Sequence, residues 1–303
     1  MTRVLIINHP QRECGVHQFG KRIYDLVSGS TNVEYIYREM DTIPVYEAVL
    51  KQTCPDFVLY NWHAYTMRWL PQEYPIDPTK KHYFIFHEEH MRQRYDKYLF
   101  FGDYDIGWRI PLDKCVLLPR PLYTYTGSYP RNEVPTIGSF GFGFWNKGYH
   151  LLTKLVNETF DRAVLNYHIA HSCFGDPSDK MTREVIATCQ QLNTNPGVKL
   201  NISREFLDAQ QVLSFLAGND INVFLYDDNG EGISSVIDYA LSVKRPIALS
   251  DCQMFRHILK DEIMVTKCPI QGILNRGTVP LEEFYEKWHP DRFREAMDEV
   301  FLC

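Results

Sequence analysis

One loop and the helix start that follows it carry the residues best suited to bind a phosphorylated ligand. The segment Ile221–Asp251 is typical of strand, loop, helix and strand, and Glu231 precedes Ser234 and Ser235, which we expect to begin the helix. Backbone N–H groups at a helix start attract anions, above all phosphate. An acid beside such a site suits ligand hydroxyls, so the segment indicates a nucleotide or a nucleotide-sugar. Helix capping alone explains the same residue types.

A second candidate is the glycine-rich segment FGFGFWNKG, residues 140–148, which follows a strand-like run. Lys147 offers a mobile cation for a diphosphate, and the glycines let a ligand approach the backbone closely. The spacing does not fit a Walker A loop, in which Ser or Thr follows the lysine. A surface lysine at a helix start is the alternative. A cation there opposes the helix dipole unless an anion is nearby, which favours the binding role.

Two loops of the first half offer further candidates. Gly15 and Val16 lie between a strand-like run and a helical pattern, as either one wall of a ligand site or an ordinary turn, and the spacing does not fit G-x-G-x-x-G. His87 opens the run H-E-E-H after another strand and is a candidate sugar contact or simply a helix-start histidine. The spacing of its two histidines also fails the H-E-x-x-H pattern of zinc sites.

Other polar residues are weaker candidates. Asn61–His63 follows a strand-like run and is either an acceptor contact or a packed aromatic turn. The acidic pairs Asp227–Asp228 and Asp103 with Asp105 would suit a divalent metal, but such pairs are common in loops. We expect no metal.

Composition narrows the class of protein. The chain has 303 residues, a formal net charge of −6 and 14% aromatic residues, which indicates a packed globular protein without the basic field of a nucleic-acid binder. Eight scattered cysteines form no C-x-x-C pair, as is typical of a reduced cytoplasmic protein. The opening run MTRVLIINHP is too short for a signal peptide, and we expect no transmembrane segment.

The elements that would position these residues form two α/β halves. Short, nearly continuous apolar runs favour buried parallel strands, and helical patterns alternate with them. We expect an N-terminal Rossmann-like domain over 1–122, a proline-rich linker over 123–134, a second such domain over 135–285 and a C-terminal helix over 286–303. Ligands of such sheets bind at the carboxyl ends of the strands. The strands are expected at Val4–Ile7, Val33–Ile36, Phe57–Tyr60, Tyr83–Phe86, Tyr98–Phe101, Val116–Leu118, Thr136–Phe140, Val164–Ile169, Val198–Ile202, Ile221–Tyr226, Pro246–Leu249 and Met264–Thr266. The helices are expected at His17–Leu26, Val45–Lys51, Gly148–Asn157, Thr182–Gln191, Leu207–Ala217, Ser234–Val243 and Gln253–Leu259, with one or two more in Leu281–Leu302.

Together these residues resemble the retaining GT-B glycosyltransferases (family 4-like, group 1). Lys147-Gly148 matches the family's lysine–glycine pair, although the basic residue usual just upstream is absent. Counting back from Pro246, Glu231 falls on the first glutamate of the family's Glu-x7-Glu motif. The second falls on Tyr239, one residue after Asp238. Either side chain would have to replace the usual ribose-binding acid.

The resemblance implies a GT-B fold, two Rossmann-like domains facing across a cleft. It implies metal-independent, retaining transfer of a sugar, with a hexose favoured, from a nucleotide-diphosphate sugar to a glycan or other hydroxyl acceptor, with no nucleic acid as partner. His87 and Glu231 would act in catalysis. The donor would be bound by Gly15, Lys147, Ser234, Ser235, Asp238 and Tyr239. Two alternatives are a catalytically weak relative that binds a nucleotide-sugar or glycan, and a nucleotide-dependent enzyme of other chemistry, such as an epimerase.

Overall fold

The computed structural model describes residues 1–71, 74–87, 95–102, 110–227, 230 and 232–302. They form two compact units. Unit 1 contains Met1–Tyr123 and Lys287–Cys303, and unit 2 contains Thr124–Glu286. The chain passes from unit 1 to unit 2 between Tyr123 and Thr124, in a stretch without helix or strand, and returns to unit 1 between Glu286 and Lys287, at the end of a short helix.

Unit 1 is built on a parallel sheet of six strands in the order β2-β1-β3-β4-β5-β6. The strands are β1 Thr2–Asn8, β2 Val33–Glu39, β3 Phe57–Tyr60, β4 Lys81–Ile85, β5 Lys97–Phe101 and β6 Cys115–Leu118; the helices are α1 Gly15–Val27, α2 Ile43–Thr53 and the C-terminal α9 Pro290–Leu302. A 3₁₀ turn, Leu112–Lys114, precedes β6.

The apolar runs explain why the sheet of unit 1 is covered on both faces. Val4 to Ile7 are fully buried without alternation, as expected of a central parallel strand. Helix α1 buries residues at helical spacing, among them Phe19, Ile23 and Val27, in a core shared with Phe293 of α9. The last helix of the chain therefore belongs to unit 1.

Unit 2 repeats the design with five parallel strands in the order β11-β10-β7-β8-β9. The strands are β7 Thr136–Phe142, β8 Ala163–Ala170, β9 Val198–Ser203, β10 Ile221–Phe224 and β11 Ile247–Leu249; the helices are α3 Tyr149–Thr159, α4 Lys180–Leu192, α5 Ala209–Ala217, α6 Val236–Ser242, α7 Ile270–Arg276 and α8 Glu282–Lys287. Its short 3₁₀ turns are Trp145–Lys147, Gln253–Phe255, Asp261–Ile263 and Val279–Leu281.

Three expectations about elements of unit 2 are wrong. The helix expected at Gln253–Leu259 is only the 3₁₀ turn Gln253–Phe255, and the strand expected at Met264–Thr266 is reduced to one bridge between Met264 and Leu249. Helix α6 begins at Val236, two residues later than the sequence suggested. In the first two cases a short apolar run lacked the length to distinguish a helix or strand from buried turns.

Candidate functional site

The strand order of unit 2 brings two loops together at the carboxyl ends of β7 and β10, which are neighbours in the sheet. The loop after β7 closes in the 3₁₀ turn that contains Lys147 and then passes through Gly148. Gly148 has φ +68°, and a Cβ on it would lie 1.8 Å from the carbonyl oxygen of Leu225, just after β10. Only glycine fits this left-handed close approach, so the residue fixes one loop against the other.

Lys147 lies over an aromatic ring rather than extending freely into solvent. Its Nζ is 3.9 Å from the ring centroid of Tyr226, a cation–π distance. Tyr226 is buried, and its hydroxyl accepts a hydrogen bond from Ser234 Oγ at 3.3 Å. The structure therefore brings Lys147 and Ser234 together through Tyr226, a residue that the sequence interpretation missed. Its one signal was its place at the end of a strand-like run.

Ser234 and Ser235 do not begin a helix. Helix α6 has only seven residues, and the backbone N–H of Ser234 donates to the carbonyl oxygen of Met254 at 3.1 Å. That N–H is therefore already used. The expectation that Ser234 begins a phosphate-binding helix is wrong. Ser234 contributes its hydroxyl to a group formed with Lys147 and Tyr226, which we call the Lys147 cluster. Ser235 is the residue before the helix and makes no side-chain cap.

The two residues expected near a donor ribose are both buried. Asp238 is fully buried, and Tyr239 is 3% exposed with its ring edge-on to Phe140 at 5.8 Å between centroids. In this arrangement both side chains pack inside unit 2 instead of lying at its surface. Their burial counts against direct contact with a ribose.

Tyr149, at the start of α3, places a second hydroxyl close to Tyr226. A Cβ on Gly141 would lie 3.4 Å from Tyr149 Oη and 3.9 Å from Tyr226 Oη, so both hydroxyls approach the end of β7. Tyr149 Oη has no hydrogen-bond partner among the described residues. Burial, with Tyr226 and Tyr167 nearby, raises the pKa of Tyr149 well above its ordinary value, so the group is a neutral hydroxyl.

Several sequence candidates lie outside the described residues. They include Glu231, the first glutamate of the motif, together with Glu88, Glu89, His90, Asp103, Asp105 and Asp228. Among the described residues, the guanidinium of Arg256 donates to the carbonyl oxygen of Gly232 at 3.4 Å and to that of Gln253 at 2.8 Å.

In unit 1 the neighbouring strands β1, β3 and β4 bring the other candidates together. Asn61, directly after β3, donates from Nδ2 to the carbonyl oxygen of Val16 at 2.7 Å. Its Oδ1 lies 2.6 Å from Nε2 of His87, which follows β4 and is half-buried. Gly15 is the first residue of α1, and a Cβ on it would meet nothing within 4 Å. The structure therefore brings Val16, Asn61 and His87 together, whereas Gly15 only precedes Val16 in the sequence.

A group of histidines surrounds the same end of the unit 1 sheet. His9 and His17 lie with ring centroids 5.6 Å apart, and His17 Nε2 is 2.8 Å from Glu39 Oε1. Burial, assisted by His17, lowers the pKa of His9 to about 4. His9 is therefore neutral at pH 7. Within either unit taken by itself, no three metal-ligating side chains converge among the described residues.

No described helix is long and apolar enough to cross a membrane.

Comparison with known proteins was informative at the level of fold. No protein-family model and no curated protein sequence matches the chain. Among solved structures, the chain is similar over its full length to Anabaena HepE, crystallised with UDP and glucose (TM-score 0.67, 10% identity, all of both chains covered). It is also similar to the lipopolysaccharide outer core galactosyltransferase WaaB (TM-score 0.60, 14% identity, 99% of this chain and 100% of that chain). A third is sucrose-phosphate synthase from Thermosynechococcus elongatus (TM-score 0.62, 11% identity, 99% of this chain and 95% of that chain).

These identities are low, so the likeness concerns the fold. The expectation of two Rossmann-like α/β domains of the GT-B class is confirmed. Of the three solved structures named above, one is a galactosyltransferase and one a sucrose-phosphate synthase.

Proposed function

We propose that this protein is a glycosyltransferase that uses a nucleotide-diphosphate sugar. The observation that carries the proposal is the placement of Lys147 at the carboxyl ends of two neighbouring strands, within a fold shared along its whole length with glycosyltransferases. HepE was crystallised with UDP, which makes UDP-sugars the first donors to test. The acceptor would be a glycan or another hydroxyl compound.

The chemistry requires stabilisation of a departing diphosphate. The bond between the anomeric carbon and the diphosphate oxygen breaks, and the acceptor hydroxyl oxygen bonds to that carbon while its proton is released. Negative charge grows on the leaving nucleoside diphosphate. A preorganised cation and hydroxyl donors stabilise such charge. Lys147 would supply the cation and Tyr226 a hydroxyl donor, because the O–H of Ser234 is already donated to Tyr226 Oη.

Other roles in the proposal follow the family resemblance. His87 would contact the donor sugar, Glu231 would lie near it, and Gly15 and Ser235 would line the donor site. For Asp238 and Tyr239 we propose indirect support of the Lys147 cluster, because both are buried. Transfer would retain anomeric configuration, require no metal and favour a hexose. The protein would act in the cytoplasm.

A transfer assay tests the proposal. Purified protein is incubated with a panel of UDP- and GDP-sugars and hydroxyl acceptors, and free nucleoside diphosphate and glycosylated product are measured together. We expect both to appear in equal amounts with at least one donor, with and without a metal chelator. Release of nucleoside diphosphate without a glycosylated product would contradict transfer.

A second function is favoured by one observation. Because Asp238 and Tyr239 are buried, the usual acid for ribose is not replaced at the surface of α6. The chain would then bind a nucleotide-sugar or a glycan without efficient turnover. Calorimetric binding of a donor to a protein that shows no product in the transfer assay would favour this alternative.

A further inference from the structure

A chain of amide hydrogen bonds in unit 1 has a direction that backbone groups determine. Asn8 Nδ2 donates to the carbonyl oxygen of His17 at 2.9 Å, and Asn8 Oδ1 accepts from the backbone N–H of His9 at 2.9 Å. A carbonyl oxygen only accepts and a peptide N–H only donates, so the side-chain amide of Asn8 has one possible orientation.

The orientation of Asn61 follows from that of Asn8. Asn61 Nδ2 donates to Asn8 Oδ1 at 2.9 Å and to the carbonyl oxygen of Val16 at 2.7 Å. Both partners are acceptors, which leaves Asn61 Oδ1 as the acceptor that lies 2.6 Å from His87 Nε2. The proton of this last bond must therefore be on His87 Nε2.

Packing holds the amides in place. Asn8 and Asn61 are fully buried, and a Cβ on Gly20 of α1 would lie 2.3 Å from Asn61 Nδ2 and 2.9 Å from Asn8 Nδ2. The glycine thus makes room for the pair. The ring of Phe19 meets that of His87 edge to face at 5.6 Å between centroids.

We propose that Asn61 is a positioning residue that holds His87 in the Nε2-protonated tautomer. In the neutral ring Nδ1 is then a hydrogen-bond acceptor, so a ligand group that bonds to it must be a donor, such as a sugar hydroxyl. The choice of a sugar rests on the proposed function, whereas the tautomer does not. The consequence is specificity, because a deoxy- or fluoro-sugar at that position cannot donate a hydrogen bond to His87.

Several ionisable side chains surround the hydrogen bonds that join Asn8, Asn61 and His87. The amides and peptide carbonyls do not titrate near neutrality, and His87 is the titratable member bonded to Asn61. Among the described residues, the surrounding ionisable groups include His9, His17, His63, Tyr37 and Glu39, with Arg22 and Arg120 against the ring of Phe19.

The first test reads the tautomer in the unaltered protein and uses a variant only to assign the resonances. The protein is labelled with ¹⁵N-histidine, and the resonances of His87 are assigned by their loss in His87→Ala. Above its pKa, His87 is expected to show the pattern of a neutral ring protonated at Nε2. A ring protonated at Nδ1 would overturn the proposal, whatever the protein does to sugars.

A second test changes the acceptor. In Asn61→Asp a carboxylate replaces the whole side-chain amide, so the Nδ2 donor to Asn8 and Val16 is lost and a negative charge lies beside His87. An opposite charge at this distance raises a histidine pKa by about 1–3 units. We expect the His87 pKa to rise by that amount, while His150 and His168 in unit 2 keep their titration curves. An unchanged His87 pKa in the folded variant would contradict the contact. If the variant does not fold, the tautomer measurement on the unaltered protein decides.

The ligand part of the proposal has its own readout. With an active donor, Asn61→Asp is expected to lose kcat/KM below the raised pKa, where imidazolium has no acceptor, and to regain it at higher pH. An equal loss at every pH would mean that Asn61 has only a structural role. If no donor supports transfer while the tautomer is as expected, the proposed function fails and the positioning of His87 by Asn61 stands.

Discussion

The two candidate sites lie at equivalent places on two similar sheets but are fixed by different interactions. In unit 1 the carboxyl ends of β1, β3 and β4 are tied by buried amides bonded to backbone carbonyls, ending at His87. In unit 2 the ends of β7 and β10 are joined by a left-handed glycine and an aromatic ring beneath a lysine. The first arrangement holds a hydrogen-bonding imidazole ring, and the second presents a cation.

This difference separates two tasks. Hydrogen bonds between buried polar groups have strict directions, so they suit the orientation of one atom toward one ligand group. A lysine ammonium held over a ring is a compact point charge, which suits the negative charge that grows on a leaving diphosphate. Under the proposed function, His87 of unit 1 would form a hydrogen bond with the sugar, and Lys147 of unit 2 would stabilise the negative charge of the leaving group.

The largest expected effect is a loss of stability at low pH, and this loss should be greater in unit 1 than in unit 2. Because the pKa of His9 is about 4 when folded and 6.5 ordinarily, the unfolded chain takes up the proton first as pH falls. The free energy of unfolding is therefore expected to fall by roughly 3 kcal/mol as the pH is lowered from 6.5 to below 4. Segment-resolved hydrogen exchange at pH 7 and pH 4.5 measures the loss.

The control for this prediction is a histidine in the other sheet. His168, whose pKa is lowered by burial to a smaller degree, lies in β8 and bonds to Ser203 Oγ at 2.9 Å. We expect His9→Gln to remove more of the acid dependence than His168→Gln. Equal effects would remove the contrast between the two units.

Next in size is the effect of the cation in unit 2. Lys147→Ala should lower kcat for sugar transfer by ~10²-fold, because charge on the leaving diphosphate loses a preorganised partner. Lys154→Ala is the matched control. This lysine lies on α3 with its side chain 66% exposed and pairs loosely with Glu158 at 3.9 Å, so its removal should leave transfer unchanged. A similar loss in both variants would assign the effect to net charge.

The third largest effect is expected from Gly148, which fixes the two loops of unit 2 against each other. Gly148→Ala forces a Cβ against the carbonyl oxygen of Leu225 at φ +68° and should cost about 1–3 kcal/mol of unfolding free energy. Gly29→Ala, at a position with nothing within 4 Å of the added Cβ, should be close to neutral. Chemical denaturation of both variants measures the difference, and equal stability would mean that the loops are not held by this contact.

The smallest effect is expected when the hydroxyl is removed from either of two buried tyrosines of unit 2, Tyr167 and Tyr149. Tyr167 Oη bonds to Thr153 Oγ1 at 3.0 Å and to the carbonyl oxygen of Tyr149 at 3.2 Å, whereas Tyr149 Oη has no partner among the described residues. Tyr167→Phe should cost about 1 kcal/mol, and Tyr149→Phe should be neutral or slightly stabilising. A loss of stability in Tyr149→Phe matching that in Tyr167→Phe would indicate a bound water or ligand atom at Tyr149.

The sequence predicts the features that depend on the alternation of apolar runs with helical patterns, and it misses those that depend on the contacts of single side chains and backbone groups. Alternating runs were enough for two parallel sheets and for Lys147-Gly148 after β7. They were not enough for α6, because two serines before an apolar run favour a helix start although Ser234 instead bonds to Met254. From the sequence, Asn61 is either an acceptor contact or part of a packed aromatic turn. Its bond to His87 depends on strand order, which no local pattern reveals.

Stabilisation by a donor tests the central claim most directly. Melting curves of the unaltered protein, Lys147→Ala and Lys154→Ala are recorded with a panel of UDP- and GDP-sugars at saturating concentration. A ligand that binds the folded state at 100 times its Kd stabilises it by about 2.7 kcal/mol. We predict a clear rise in Tm with at least one donor for the unaltered protein and Lys154→Ala, and a much smaller rise for Lys147→Ala. No rise with any donor, or an equal rise in all three proteins, would contradict a donor site at Lys147.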